Sequence, residues 1–111
     1  MSPVLWKVIE VQLLEDLQVT AEFLVDGRDV QELKVVLHTQ SGGPVQWLVR
    51  IETHGGKPHK HVAWDDEGEL RHKQLKGWPS DYSKVVTRAI QDLKMNREIY
   101  QARYKAWMAS K

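Results

Sequence analysis

The sequence predicts an α+β protein, an antiparallel meander of about five to six strands packed by one long C-terminal helix. Three observations carry that expectation. Apolar residues alternate with period two through the first three quarters of the chain. Short Gly-, Asp- and Pro-containing breaks at hairpin spacing separate the alternating runs. The last quarter changes to apolar steps of three and four, the helical period. A chain of 111 residues can bury one core, so a single domain over 1–111 is expected, with the sheet in 1–76 and the helix in 80–109.

The first strand is "VLWKVIEVQLL" (4–14), β-branched and apolar up to Glu15 and Asp16. "LQVTAEFLV" (17–25) alternates, setting Leu17, Val19, Ala21, Phe23 and Val25 on one face. "DGRD" (26–29) supplies tight-hairpin chemistry. "VQELKVVLHTQ" (30–40) is the third strand, closed by "SGGP" (41–44). In "VQWLVRIETH" (45–54), Val45, Trp47, Val49 and Ile51 are expected on one face. Gln46, Arg50, Glu52 and His54 fall on the other, and Leu48 breaks the pattern. "GGKP" (55–58) is a turn, "HKHVAW" (59–64) a strand, "DDEG" (65–68) a turn and "ELRHKQL" (69–75) a short last strand.

"GWPS" (77–80) ends the sheet, with Ser80 as the expected N-cap and Asp81 at the positive end of the helix dipole. Tyr82, Val85, Val86, Ala89, Ile90, Leu93, Tyr100, Tyr104 and Trp107 then form one apolar stripe, while Lys84, Arg88, Gln91, Lys94, Glu98 and Lys105 lie largely off it. The stripe is expected to cover the sheet, with its last turns left to serve as a contact surface.

Composition narrows the function classes. A hydrophobic fraction of 41% with five tryptophans is enough for a folded core. No apolar run approaches a membrane span, and the N-terminal segment lacks the features of a secretory signal. With no cysteine, disulfides and thiolate metal sites are excluded, so a cytoplasmic protein is expected. Residues 1–53 hold four Lys/Arg against eight Asp/Glu (−4), and residues 54–111 hold twelve against seven (+5). Such polarity is compatible with an anionic partner for the second half, and equally with ordinary surface charge.

The stretch "ETHGGKPHKHVAW" (52–64) gathers three of the five histidines, His54, His59 and His61, between which no carboxylate falls. A four-residue loop at 55–58 would set His54 opposite His59 and Glu52 opposite His61. A second hairpin at 65–68 would bring His72 opposite His61. Three readings compete. One is a zinc site, although the H-x4-H-x-H spacing lacks the CxxC or HExxH companions of established sites, so no metal and no cofactor is assigned. Another is metal-free proton transfer on RNA, with His59, His61, His54 and Glu52 as the catalytic group and Arg50, Lys57, Lys60 and His72 facing substrate. In that reading Trp64 and Trp78 are candidate base-stacking surfaces. The third is a polar hairpin without chemistry.

The elements His54-Gly55, His59, His61, Asp65 and Gly68, followed by Asp92-Leu93-Lys94, Asn96, Tyr100, Arg103 and Tyr104, cover about the last 60 residues. They resemble a family of small prokaryotic proteins of unknown function with an H-G-x-P-H-x-(D/H) hairpin and a D-L-K-x-N-x-x-x-Y-x-x-R-Y helix. Gly56 is an extra turn residue relative to that pattern. The core Pro58-His59-Lys60-His61 is also similar to the P-H-x-H segment of TumE-like toxins of toxin–antitoxin pairs. That resemblance implies a small toxin, an RNase neutralised by an antitoxin protein. The alternative expectation is a non-catalytic interaction module, with homodimerisation or partner binding through Tyr100, Tyr104 and Trp107.

Overall fold

In the computed structural model, residues 4–14, 16–40, 43–53, 57–64, 73–75 and 77–111 are described. Six strands follow one another across a single antiparallel sheet: β1 (Val4–Leu14), β2 (Leu17–Asp26), β3 (Asp29–Thr39), β4 (Gln46–Glu52), β5 (His59–Val62) and β6 (Lys73–Gln74). Two helices follow, α1 (Tyr82–Met95) and α2 (Arg97–Ala109). The result is a two-layer α+β fold in which α1 lies over β2 and β3 and α2 lies over β4.

Period-two alternation builds the covered face. Leu17, Val19 and Ala21 of β2, Leu33, Val35 and Leu37 of β3, and Val49 and Ile51 of β4 are buried. They meet Val85, Val86, Ala89 and Leu93 of α1 and Tyr100 and Tyr104 of α2 in one cluster. The β2–β3 turn is the two-residue Gly27-Arg28, closed by the Asp26–Asp29 pair. Gly27 has φ 64°, the left-handed value that a II′ hairpin assigns to glycine at its first central position.

Three features depart from the sequence expectation. First, β4 carries a bulge. Leu37 pairs with Val49 and His38 with Trp47, so Leu48 is an extra residue. Leu48 and Val49 are both fully buried. Beyond the bulge the parity inverts: Gln46 receives a hydrogen bond from Tyr104 on the helix side, whereas Val45 and Trp47 border His38 and Val36 on the open face.

Second, the C-terminal segment is two helices instead of one. Asn96, at φ −103° and ψ 12°, interrupts it. Its Nδ2 donates to the Asp92 carbonyl and to Asp92 Oδ1, both at 3.1 Å, a side-chain-to-backbone competition that bends helices. Third, α1 is capped by Asp81 in place of Ser80. Asp81 Oδ1 accepts from Ser83 N at 3.0 Å and Ser83 Oγ at 2.7 Å, and these bonds hold its carboxyl below the usual carboxylate range. Of the expected last strand, residues 69–72 lie outside the described residues.

The helical stripe packs as its spacing dictates, and this removes a predicted contact surface. Tyr100 and Tyr104 are buried against the sheet, and Trp107 is half-buried beside Tyr104. A partner surface built from these three side chains is therefore not presented to solvent.

Candidate functional site

The β4–β5 hairpin is shifted by two residues from the four-residue-loop arrangement. Glu52 pairs with His59 and Arg50 with His61, so residues 53–58 connect the strands. A shift of two preserves side-chain parity. Arg50, Glu52, His59 and His61 thus share the face away from the helices, because their neighbours Ile51 and Val49 point into the core. Thr53 anchors the end of β4: its Oγ1 accepts from Leu33 N at 3.0 Å, and its own N donates to Leu33 O at 3.2 Å. His54 and Gly56 lie outside the described residues, as do the Asp65–Gly68 turn and His72.

Glu52 is the centre of the open-face group. Its Oε1 lies 3.1 Å from His61 Nε2 and its Oε2 lies 3.3 Å from Arg50 Nε. The His61 side chain is only 12% exposed, so this contact sits largely out of water. Arg50 Nε is buried and is not aligned for a hydrogen bond to the carboxylate, so charge alone holds that contact. The guanidinium also lies over the Trp47 ring, 4.8 Å from its centroid. A depression of about 320 Å³ continues along the open face, lined by Thr20, Glu22, Lys34, Val36, His38, Val45 and Trp47. His38 Nε2 is 2.7 Å from Thr20 Oγ1, and burial pushes its pKa down against an opposing pull from Glu10.

The other expected site residues separate. Lys60 pairs with Ile51 and therefore points to the helix face. Its Nζ donates to Tyr100 Oη at 2.8 Å and lies 3.2 Å from Asp92 Oδ2. Tyr100 Oη in turn donates to Asp92 Oδ2 at 2.7 Å. Burial, followed by the adjacent Asp92 carboxylate, drives the Tyr100 pKa well above the usual phenol value. Lys60 is thus a structural tie between β5 and the helix break, and not a substrate-facing cation. Lys57 is exposed and borders a cleft of about 770 Å³ shared with Trp78 and Tyr82. Trp64 packs on Tyr100 at 6.2 Å, and Trp78 lies beneath the Arg88 guanidinium at 4.9 Å, so neither ring matches the expected open stacking surface.

Sequence reasoning missed Trp47 and His38 as members of the open face. The available signal was the run Trp47-Leu48-Val49, three apolar residues where alternation allows two at most on one face. Among the described residues, no group of three His, Asp or Glu side chains is placed to hold a metal ion. No helix among them is long and apolar enough to cross a membrane.

Comparison with known families places the chain. The model of a domain of unknown function, DUF7718, matches residues 6–110. The chain belongs to the DUF7718 family. Its match spans β2 to β6, both helices and nearly all of β1, so the open-face group and the Lys60–Asp92–Tyr100 tie both lie inside the DUF7718 domain. No curated protein and no solved structure matches the chain.

Proposed function

We propose that this protein is a small toxin-like ribonuclease that cleaves RNA without a metal, using the open face of the β4–β5 hairpin. The observation that carries this reading is the Glu52 carboxylate held against His61, with His59 paired to Glu52 on the same face. A carboxylate that orients an imidazole is the recurrent arrangement for a general base. His61 takes the proton of a ribose 2′-hydroxyl, and that oxygen attacks the adjacent phosphorus. The P–O5′ bond breaks, and His59 returns a proton to the departing 5′-oxygen. The products are a 2′,3′-cyclic phosphate and a free 5′-hydroxyl. His59 and His61 stand two residues apart on a strand, about 7 Å, a span that brackets one phosphate.

Arg50, on the same face as both histidines, supplies the positive charge in this scheme. Glu10, Glu22 and Glu32 fall on the remainder of the open face by register, so substrate contact is confined to the hairpin end. An antitoxin protein partner and a cytoplasmic location belong to the same proposal.

The test is cleavage of a defined RNA oligonucleotide by purified protein in the presence of a chelator. Cyclic-phosphate ends should accumulate. His59→Ala and His61→Ala should each lower the rate by about 10²–10⁴-fold, the range for loss of a general acid or base. The melting temperature of His59→Ala should stay close to that of the parent, and His61→Ala, which gives up its largely buried contact with Glu52, should be assayed well below its own melting temperature. A double variant that cleaves RNA or arrests growth as the parent does would remove the hairpin from the mechanism. A partner-binding module is a second reading, favoured by the exposed apolar edge strand β1 and not by the helix aromatics.

A further inference from the structure

β1 is the edge of the sheet, and its burial differs from that of every other long strand. Val4, Leu5, Trp6 and Val8 are each more than half exposed, and Ile9 is 42% exposed. Apolar side chains therefore protrude on both faces, and α1, seated over β2 and β3, leaves the helix-side shelf of β1 uncovered. A long apolar edge of this kind is a template for strand pairing, and proteins that keep such an edge monomeric guard it with charge, proline or a short length. Among residues 4–14 only Lys7 and Glu10 are charged, and none is proline.

We infer that β1 pairs antiparallel with β1 of a second copy of this chain about a two-fold axis at Val8, joining two sheets into one. The register follows from the strand itself. Pairing with β2 is continuous from Val4 to Gln12 and is broken by an irregularity before Leu14. The regular edge is therefore Val4–Gln12, and Val8 is its midpoint.

A two-fold axis there sets Val8 against Val8, Lys7 against Ile9, Trp6 against Glu10, Leu5 against Val11 and Val4 against Gln12. Opposed residues of an antiparallel pair share a face, and all of these pairs do so. No like charges meet, because the single lysine and the single glutamate each face an apolar side chain of the other copy. The lysine stem covers Ile9 and the tryptophan ring packs beside the Glu10 stem, while the ammonium and the carboxylate reach solvent. The two uncovered shelves also meet, so Leu5, Ile9 and Val11 of both copies fill the gap between the two α1 helices. A hetero-partner is not required to satisfy any of these positions.

The paired edge is about 30 Å long. An interface of that length, one sheet thick plus the shelf, lies toward the low end of specific interfaces, so a dimer that dissociates at micromolar concentration is expected. This inference does not depend on the ribonuclease reading.

The experiment is sedimentation velocity of the intact protein from about 1 to 200 μM. The parent should move from monomer to dimer across that range. Val8→Lys places two ammonium groups on the axis and should remain monomeric throughout, with an unchanged melting temperature at low concentration because Val8 is 58% exposed. The chain has no cysteine, so Val8→Cys provides a clean second readout. Under oxidation it should form a covalent dimer, whereas Met95→Cys, at an 81% exposed helix position, should not. A parent that is monomeric at 200 μM, a Val8→Lys protein that still dimerises, equal cross-linking of the two cysteine variants, or open-ended polymers would each overturn the two-fold pairing.

Discussion

Replacing Asp92 by alanine separates the structural role of the P-H-x-H segment from the chemical one proposed for it. Asp92 accepts a hydrogen bond from Tyr100 at 2.7 Å and one from Asn96 at 3.1 Å, and it faces Lys60 at 3.2 Å. A bond from Tyr100 to a charged acceptor contributes about 1.5–3 kcal/mol. Breaking a fully buried ion pair costs about 3–5 kcal/mol, whereas an exposed pair contributes at most about 1 kcal/mol. Lys60 and Asp92 side chains are each 19% exposed, so the pair falls between these limits. Lys60 keeps its 2.8 Å bond to Tyr100 when Asp92 is removed, which lowers the total. The expected loss is about 2–3 kcal/mol. With an unfolding entropy of about 0.23 kcal/mol/K for a chain of this length, the melting temperature should fall by about 10 °C.

Lys60→Met should cost only about 1 kcal/mol, since the Tyr100–Asp92–Asn96 bonds survive and the methylene stem is replaced in kind. A double-mutant cycle read by urea unfolding should return a coupling of about 1 kcal/mol between the two positions. RNA cleavage by Lys60→Met, assayed well below its melting temperature, should remain within about twofold of the parent, because the ammonium lies on the opposite face of the sheet from His59 and His61. A change below about 0.5 kcal/mol for Asp92→Ala would refute the tie. So would a tenfold loss of cleavage in a fully stable Lys60→Met protein, which would return Lys60 to the substrate side.

Two further outcomes test the fold and its pH response. Burial lowers the His38 pKa below 6.5, so between the folded and unfolded values the unfolded chain binds more protons; the neutral-His38 contribution is complete above about pH 6.5 and is lost as pH falls through the lowered folded pKa. The difference in melting temperature between the parent and His38→Gln should therefore change in the parent's disfavour from pH 7.5 to pH 5, and a pH-independent difference would show that the ring is not desolvated. Gly27→Ala, at φ 64°, should destabilise the β2–β3 hairpin by about 1 kcal/mol in chemical denaturation, and an unchanged midpoint would mean that the turn has another conformation.

The parts of this molecule legible in its sequence are those governed by periodicity. The first two strands and the helical stripe follow from apolar spacing, because burying one face fixes parity for the whole element. The parts that were not legible turn on single residues that break a period. Leu48 adds one residue to β4 and moves Trp47 from the core side to the open face. Asn96 keeps its backbone bonds to Asp92 and from Tyr100, but its side-chain amide competes for the same Asp92 carbonyl, and one helix becomes two. Local propensity marks neither event strongly, since leucine fits a strand and asparagine is only mildly unfavourable in a helix.

The candidate site shows why parity is the more robust quantity. A hairpin loop two residues longer than the spacing predicts changes every cross-strand partner in it, yet Arg50, Glu52, His59 and His61 stay on one face. Lys60, between the two histidines, was forced by the same parity onto the other face, where the aromatic and acidic residues of the helices receive it. The P-H-x-H segment therefore serves two layers at once. Its histidines address the open surface, and its lysine fixes the strand that carries them to the helix break. A substitution at Asp92 or Tyr100 would consequently disturb the imidazoles through the position of β5, with no direct contact to them. Loss of activity at those two positions should track loss of stability, whereas loss at His59 or His61 should exceed what any loss of stability explains.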